Sequence, residues 1–173
     1  MPEKIAGAKI GELLTKLPHP GIVTWIGIRS GRGMPVTAVE QVEVIQAKGL
    51  AGDHYKGMAS STRHVTLIQA EHLASMASFL GMSEVNPALV RRNIVIKGLN
   101  LLALKDKQFF VGSALLEMTG LCHPCSRMEE VLGEGGYNAM RGHGGITARI
   151  IQGGTISIGD QVVVHSEIVK PIL

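Results

Sequence analysis

The stretch LCHPCSRMEE, residues 121–130, gathers the most reactive side chains of this sequence. Two thiols three positions apart flank a His-Pro pair, and Pro124 pre-sets the backbone immediately before Cys125. The order Ser126 to Leu132 suits a helix, which would bring the Cys125 sulfur close to unpaired helix amides. Those amides and Arg127 both stabilise a thiolate. A thiolate is what a nucleophile, a sulfur carrier or a soft-metal ligand requires. Other readings stay open: two buried thiols acting as small hydrophobes, or a thioredoxin-like redox pair, which a missing βαβ context weakens. Structural zinc would need four ligands; His54, His64 and His143 could complete them, but no paired spacing ties them together.

A second group is KGLAGDHYKG at 48–57, followed by Arg63 and His64. Gly49 and Gly52 permit positive φ and close backbone approach. Asp53 can cap or orient a partner, and His54, Lys56, Arg63 and His64 offer donors to an anion. A turn with solvated basic neighbours accounts equally well for Asp53, His54 and Arg63, and better for Lys56. Arg91-Arg92-Asn93 stands directly before an expected strand, where alternate side chains face opposite sides, so at most one arginine of the pair is expected to face a given site. The glycines of RGHGGITARII, 141–151, could expose successive amides to an anion. No GxxxxGK[ST] and no GxGxxG after a strand accompany them, which argues against a standard P-loop or Rossmann nucleotide site. His143 suits a pocket lining and a turn cap equally.

The elements that must position these groups are short. Residues 8–16 suit a short amphipathic helix, ended by Leu17-Pro18-His19-Pro20-Gly21. Ile22 to Ile28 reads as a buried strand, GRGMP at 31–35 as a turn, and Val36 to Ile45 as a second strand. Residues 48–62 read as a long loop of the kind that is often functional. His64 to Ile68 resembles a strand running into a helix over Gln69 to Leu80, stopped by Gly81. Asn86-Pro87 starts a helical turn through Val90, Asn93 to Ile96 is a strand, and Gln108 to Met118 is two strands with Gly112 at a bend. Tyr137 to Met140 forms another turn. Ile146 to Ile151, Thr155 to Ile158 and Gln161 to His165 are short strands separated by Gly153-Gly154 and Gly159-Asp160. Many short strands with few helices predict a mainly β (α+β) protein built on a partly closed barrel.

With 173 residues, 45% hydrophobic and 18% charged, the chain suits one ordered domain rather than a disordered segment. Two cysteines are too few for a secreted disulfide framework. Lys4, Lys9, Glu12 and Lys16 interrupt any signal-peptide run, and no window approaches the ~20 apolar residues of a membrane helix. A cytoplasmic protein without a membrane partner is therefore expected. The net charge of +3 is a mild bias toward an anionic ligand. Scattered basic residues, scarce aromatics and the lack of a helix-turn-helix, zinc-finger or RNA-recognition signature argue against nucleic acid.

Taken together, GLAGDHY at 49–55, RHVTLI at 63–68, RRNIVIKGLNL at 91–101, VGSALLEMTGLCHPC at 111–125 and GGITARIIQGGTISIGDQVVV at 144–164 resemble the MOSC family, named for the carboxy-terminal domain of molybdenum cofactor sulfurases. The resemblance implies a strand-rich barrel with peripheral helices, in which residues 1–20 are an extension with a short helix and 21–173 a single MOSC domain. It also implies a role with the molybdenum cofactor, whose family cysteine falls on Cys125; Cys122 takes no family role. In relatives that reduce N-hydroxylated compounds with an external electron donor, that cysteine binds molybdenum; elsewhere the family carries persulfide sulfur from a donor protein. A non-catalytic redox or structural barrel is the third reading. Arg63, Arg92 and Arg149 are chosen by chemistry for the pterin phosphate. Asp53, His54, His64, Asn93, Arg127 and His143 complete the expected cofactor-binding set. The roughly 20 residues before the first strand cannot house the pyridoxal-phosphate desulfurase domain of the sulfurases, so no pyridoxal phosphate site is expected and sulfur or electrons must come from a partner.

Overall fold

A computed structural model of the chain describes residue 7 and residues 9–55 and 57–166. Helix α1 (Ile10–Leu13) is one exposed turn. Strands β1 (Gly21–Ile28), β2 (Thr37–Ala38), β3 (Gln41–Ile45) and β4 (Gly49–Leu50) follow. Strand β5 (Val65–Gln69) runs directly into α2 (Ala70–Leu80), and a 3-10 turn (Pro87–Val90) leads to β6 (Ile94–Lys97). A second 3-10 turn (Leu101–Leu104) precedes the hairpin of β7 (Gln108–Val111) and β8 (Ala114–Leu121). Two short helices, α3 (Arg127–Leu132) and α4 (Gly136–Met140), connect to β9 (Ile146–Gln152), β10 (Gly154–Ser157) and β11 (Gln161–Val164).

Neighbours run β11-β7-β8-β9-β5-β6-β1, and pairing of Gly21 with Val162 joins β1 to β11, closing seven strands into a barrel. Closure removes the free sheet edges that an open sheet would expose. The expected partly closed barrel is thus fully closed. Every barrel pair is antiparallel except β5 with β6, which are parallel and joined by a crossover through α2. That crossover covers the outer face of both strands, so they are apolar on both sides. Ile94 and Ile96 point into the barrel with Leu67, Phe109 and Leu116, while Val95 and Ile68 point outward against Leu73 and Met76 of α2, Met128 and Leu132 of α3, and Met140 of α4. Helix α2 buries Leu73, Met76 and Ala77, one stripe at helical spacing, and stops at Gly81, whose φ of +66° supplies the left-handed cap.

Three expectations change. Val36 to Ile45 is not one strand: Val39 N–H donates to Ile26 O as β2 leaves β1, and the chain then crosses to a separate sheet of order β10-β3-β4. Residues 48–62 are not all loop, because Leu50 pairs with Val44 as β4. Of the helix expected over 8–16, only Ile10–Leu13 forms, and residue 8 lies outside the described residues. No helix among the described residues is long and apolar enough to cross a membrane.

Gly145 enters β9 at φ +84°, where a Cβ would run into the Leu67 carbonyl oxygen; Gly142 has φ +77° with nothing within 4 Å. Gly142→Ala should cost ~1 kcal/mol for the left-handed backbone alone, and Gly145→Ala at least ~3 kcal/mol once overpacking is added. Denaturant unfolding of the two variants measures the difference; equal losses would show that contact with β5 does not constrain this turn.

Candidate functional site

Because β1 is antiparallel to β6 and β5 parallel to it, the end of β1 and the starts of β5 and β6 meet at one rim of the barrel. Asn93 knits that rim. Its Oδ1 accepts from the Thr66 N–H at 3.2 Å and the Thr66 hydroxyl at 3.1 Å, and its Nδ2 donates to Gly27 O and to Asp53 Oδ2, both at 3.3 Å. Asp53 Oδ1 accepts from the Arg29 N–H at 2.7 Å, and the His54 N–H donates to Arg29 O at 2.6 Å. The segment after β4 is thereby tied to the end of β1.

These ties frame a cavity of about 180 Å³ lined by Arg29, Arg63, Arg91 and Arg92, with Asp53, Tyr55, His64 and Asn93 among its other walls. Among the described residues the one ion pair is Arg149 with Glu117, at 3.0 Å, so none of the four cavity arginines has a carboxylate partner. Both members of the Arg91-Arg92 pair line the cavity, contrary to the alternation argument. Arg91 is the left-handed cap of the 3-10 turn, at φ +58°, and the strand begins only at Ile94. Burial pushes Arg91 below the usual arginine range, the guanidiniums of Arg29, Arg127 and Arg92 push the same way, and Cys125 opposes them.

Arg92 is buried, and its guanidinium is turned to backbone carbonyls. Nε donates to Gly144 O at 2.7 Å, Nη1 to Val90 O at 3.1 Å, and Nη2 to Cys122 O at 3.1 Å and His123 O at 3.3 Å. The Cys122 N–H donates to Gly145 O at 2.8 Å, and Gly144 sits so close that a Cβ would meet the Cys122 carbonyl oxygen. Arg92 thus clasps the turn carrying the two cysteines to the glycine turn before β9. Burial lowers the Arg92 pKa, while Cys122 and Cys125 raise it. Both cysteines are free, Cys122 half-buried and Cys125 exposed at the start of α3. Arg127 lines an adjoining groove of about 160 Å³, which shares Arg29, Val36 and Arg91 with the arginine cavity and adds Met34, Leu89 and Val131.

The remaining expected residues scatter. His54 is half-buried and does not line the cavity. His143 Nδ1–H donates to Arg141 O, 2.9 Å away, and the ring packs edge-on against His72 and Phe79 of α2, with ring centroids 4.8 and 5.5 Å distant. Arg149 lies in a different cavity, reached from the other side of His64. Arg29 and Tyr55 line the site without having been singled out, and Arg91 was named only as one of a pair of which at most one member was expected to face a site. Arg29 had a signal, a cation placed directly after an apolar strand, where a barrel opens to solvent. No group of three His, Cys, Asp or Glu side chains among the described residues could hold a metal ion.

His64 is buried, with Nδ1 accepting from the Ile150 N–H at 3.1 Å. Burial pushes its pKa below the usual histidine value; the nearby Ala59 backbone opposes the shift and Arg149 adds to it. Burial and then His143 also lower His72, against Glu71.

A family model described as MOSC domain matches residues 54–163. No curated protein sequence matches the chain. The fold is similar to the crystal structure of APC1665, YUAD protein from Bacillus subtilis, with a TM-score of 0.74 at 17% identity over 86% of this chain and 97% of that one. YiiM from Escherichia coli gives 0.65 at 19% identity, covering 87% of this chain and 72% of that one. YiiM from Geobacillus stearothermophilus gives 0.66 at 16% identity, covering 87% and 77%. At these identities the likeness is one of fold.

Two measurements test the site's construction. Arg92→Met should destabilise the protein by about 3 kcal/mol, since it orphans buried carbonyls, whereas Arg91→Gln should change stability little. Similar losses in thermal unfolding would refute the clasp. The lowered pKa values of His64 and His72 mean that the unfolded chain binds more protons below about pH 6.5. Stability should therefore be full above that pH and fall as the pH drops through the folded values. His72→Phe should flatten part of the fall, and an unchanged Tm-against-pH curve would count against a lowered pKa for the half-buried His72.

Proposed function

The chain belongs to the MOSC domain family, and on that premise we propose that its arginine-lined cavity holds the anionic pterin of a molybdenum cofactor, with Cys125 supplying one thiolate ligand to the metal. The observation that carries this reading is a set of four guanidiniums without carboxylate partners among the described residues, two of which, Arg91 and Arg92, lie within electrostatic reach of the exposed Cys125. A phosphate group suits such a set, because planar guanidiniums bind oxyanions through paired hydrogen bonds.

The donor set fits in a second respect. With no cluster of three ligating side chains among the described residues, a metal here must arrive with most of its own ligands, and a soft thiolate is a suitable last one. Arg29, Arg63 and Arg91 would hold the phosphate, and Arg92 would act through the backbone by fixing the cysteine turn. Asn93 and Asp53 would keep Arg29 at the cavity. The adjoining groove, apolar at Met34, Leu89 and Val131 and cationic at Arg127, would orient a substrate beside Cys125. When bound, the cofactor supplies a centre able to reduce an N-hydroxylated compound to the amine with release of water, using two protons and two electrons from a donor protein.

A second reading rests on the exposure of the same thiol: Cys125 accepts sulfane sulfur from a donor protein and holds it as persulfide, with Arg91 and Arg92 balancing the negative charge.

Protein produced in cells competent for cofactor synthesis and purified anaerobically should contain one molybdenum per chain, lost in Cys125→Ala. Elemental analysis with cyanolysis of labile sulfur reads both hypotheses at once. Persulfide without molybdenum sinks the first and supports the second, and neither element on the wild-type protein leaves a structural barrel.

A further inference from the structure

On the side of His64 away from the arginines lies a cavity of about 280 Å³, which shares only His64 with the site above. Two buried donors without partners belong to its walls: His64 Nε2 and Arg149 Nε. Their protonation is not in question. His64 Nδ1 accepts from the Ile150 N–H, so a neutral ring carries its hydrogen on Nε2, and a guanidinium always carries one on Nε. The Ala59 backbone approaches the ring closely enough to raise its pKa but falls outside hydrogen-bond geometry, which leaves Nε2 unpartnered. On the far end of Arg149, Nη2 is anchored to Glu117 at 3.0 Å, its cross-strand partner between β8 and β9. That anchor fixes the plane of the guanidinium.

We propose that this cavity binds a small oxyanion, inorganic or carboxylate, through the His64 Nε2–H and the Arg149 Nε–H. Buried unpaired donors carry a desolvation cost that an acceptor removes, and two N–H donors lining one space suit an acceptor with two or more oxygens, the charge of Arg149 being balanced by Glu117. The cavity lining includes no carboxylate. The space exceeds the ~30 Å³ share of a single water several-fold, so a ligand of several heavy atoms is accommodated. Ala47, Ala59 and Ile151 give it apolar sides, which suits the methyl of a short carboxylate as well as a bare tetrahedral ion. The inference is independent of the cofactor reading, since it uses none of the four cavity arginines.

The test is NMR of the full chain titrated with sodium phosphate, and separately with sodium acetate, against sodium chloride at equal ionic strength. The Arg149 Nε–Hε and His64 Nε2–H signals should shift together along one saturating curve, with chloride inert. The probe that saturates at lower concentration identifies an inorganic or a carboxylate ligand. His64→Gln, read at Arg149, should weaken binding roughly ten-fold, and Arg91→Gln should leave it unchanged. If His64→Gln does not fold, the joint movement of the two wild-type signals still decides. Linear shifts without saturation, a response to chloride, or loss of the response in Arg91→Gln would each overturn the proposal.

Discussion

The geometry of this molecule's reactive end depends on one buried cation. Arg92 enters a region from which water is excluded, and it can remain charged there only because carbonyl oxygens surround it. Four of its N–H groups reach carbonyls of Val90, Cys122, His123 and Gly144. Those carbonyls belong to three separate connections: the turn before β6, the turn after β8 and the glycine turn before β9. Each would otherwise present unsatisfied backbone at the point where a barrel strand ends. The cation and the loops therefore solve each other's desolvation problem, and the result is a rigid turn from which Cys125 projects into solvent.

A division of labour follows from that arrangement. Arg92, with four of its five N–H groups given to backbone carbonyls, is poorly suited to seize a ligand, whereas Arg29, Arg63 and Arg91 are not paired with any carboxylate among the described residues. Burial lowers the pKa of Arg91, and the repulsion of its neighbouring guanidiniums adds to that shift. The single acid of the cavity, Asp53, accepts from a backbone N–H and from Asn93 rather than from a guanidinium. A cluster whose own acid is turned to structural work keeps its excess of positive charge for something else. This is the pattern expected of an anion site and not of a salt-bridge network, where each cation would find its acid within the fold.

Much of the architecture was legible because strands buried on both faces read as continuous apolar runs: Ile94-Val95-Ile96 and Leu67-Ile68 send alternate side chains to the barrel interior and to the helical layer, and neither face carries a polar residue. What could not be read locally depended on long-range pairing. The break between β2 and β3 occurs where Val39 bonds to Ile26 and the chain then departs for another sheet, and no local preference marks that point. The cysteine turn was visible as a dense run of reactive residues. The placing of Arg91 was not, because alternation was applied to residues that still belong to a 3-10 turn, where a left-handed cap turns the side chain by a different rule. Arg149 and His143 have the right chemistry for a phosphate, but register carries one to another cavity and packing on α2 holds the other.

His64 is where these constraints meet. Its backbone N–H donates to Ala148 O and its Nδ1 accepts from Ile150, so the ring is locked against β9 at two points. A residue fixed this firmly at the start of β5 cannot turn toward either cavity to suit a ligand. It presents one wall to the arginine cavity, where Tyr55 packs edge-on with centroids 5.5 Å apart, and its unpartnered Nε2 belongs to the lining beside Arg149. Burial keeps the ring neutral, which spares the arginine cavity a further positive charge while preserving one directed donor. The same lock that makes His64 a poor candidate for gripping a pterin phosphate therefore makes it a well-defined partition between two sites of different character. One is lined by four guanidiniums, and the other by the imidazole of His64 and the ion-paired guanidinium of Arg149.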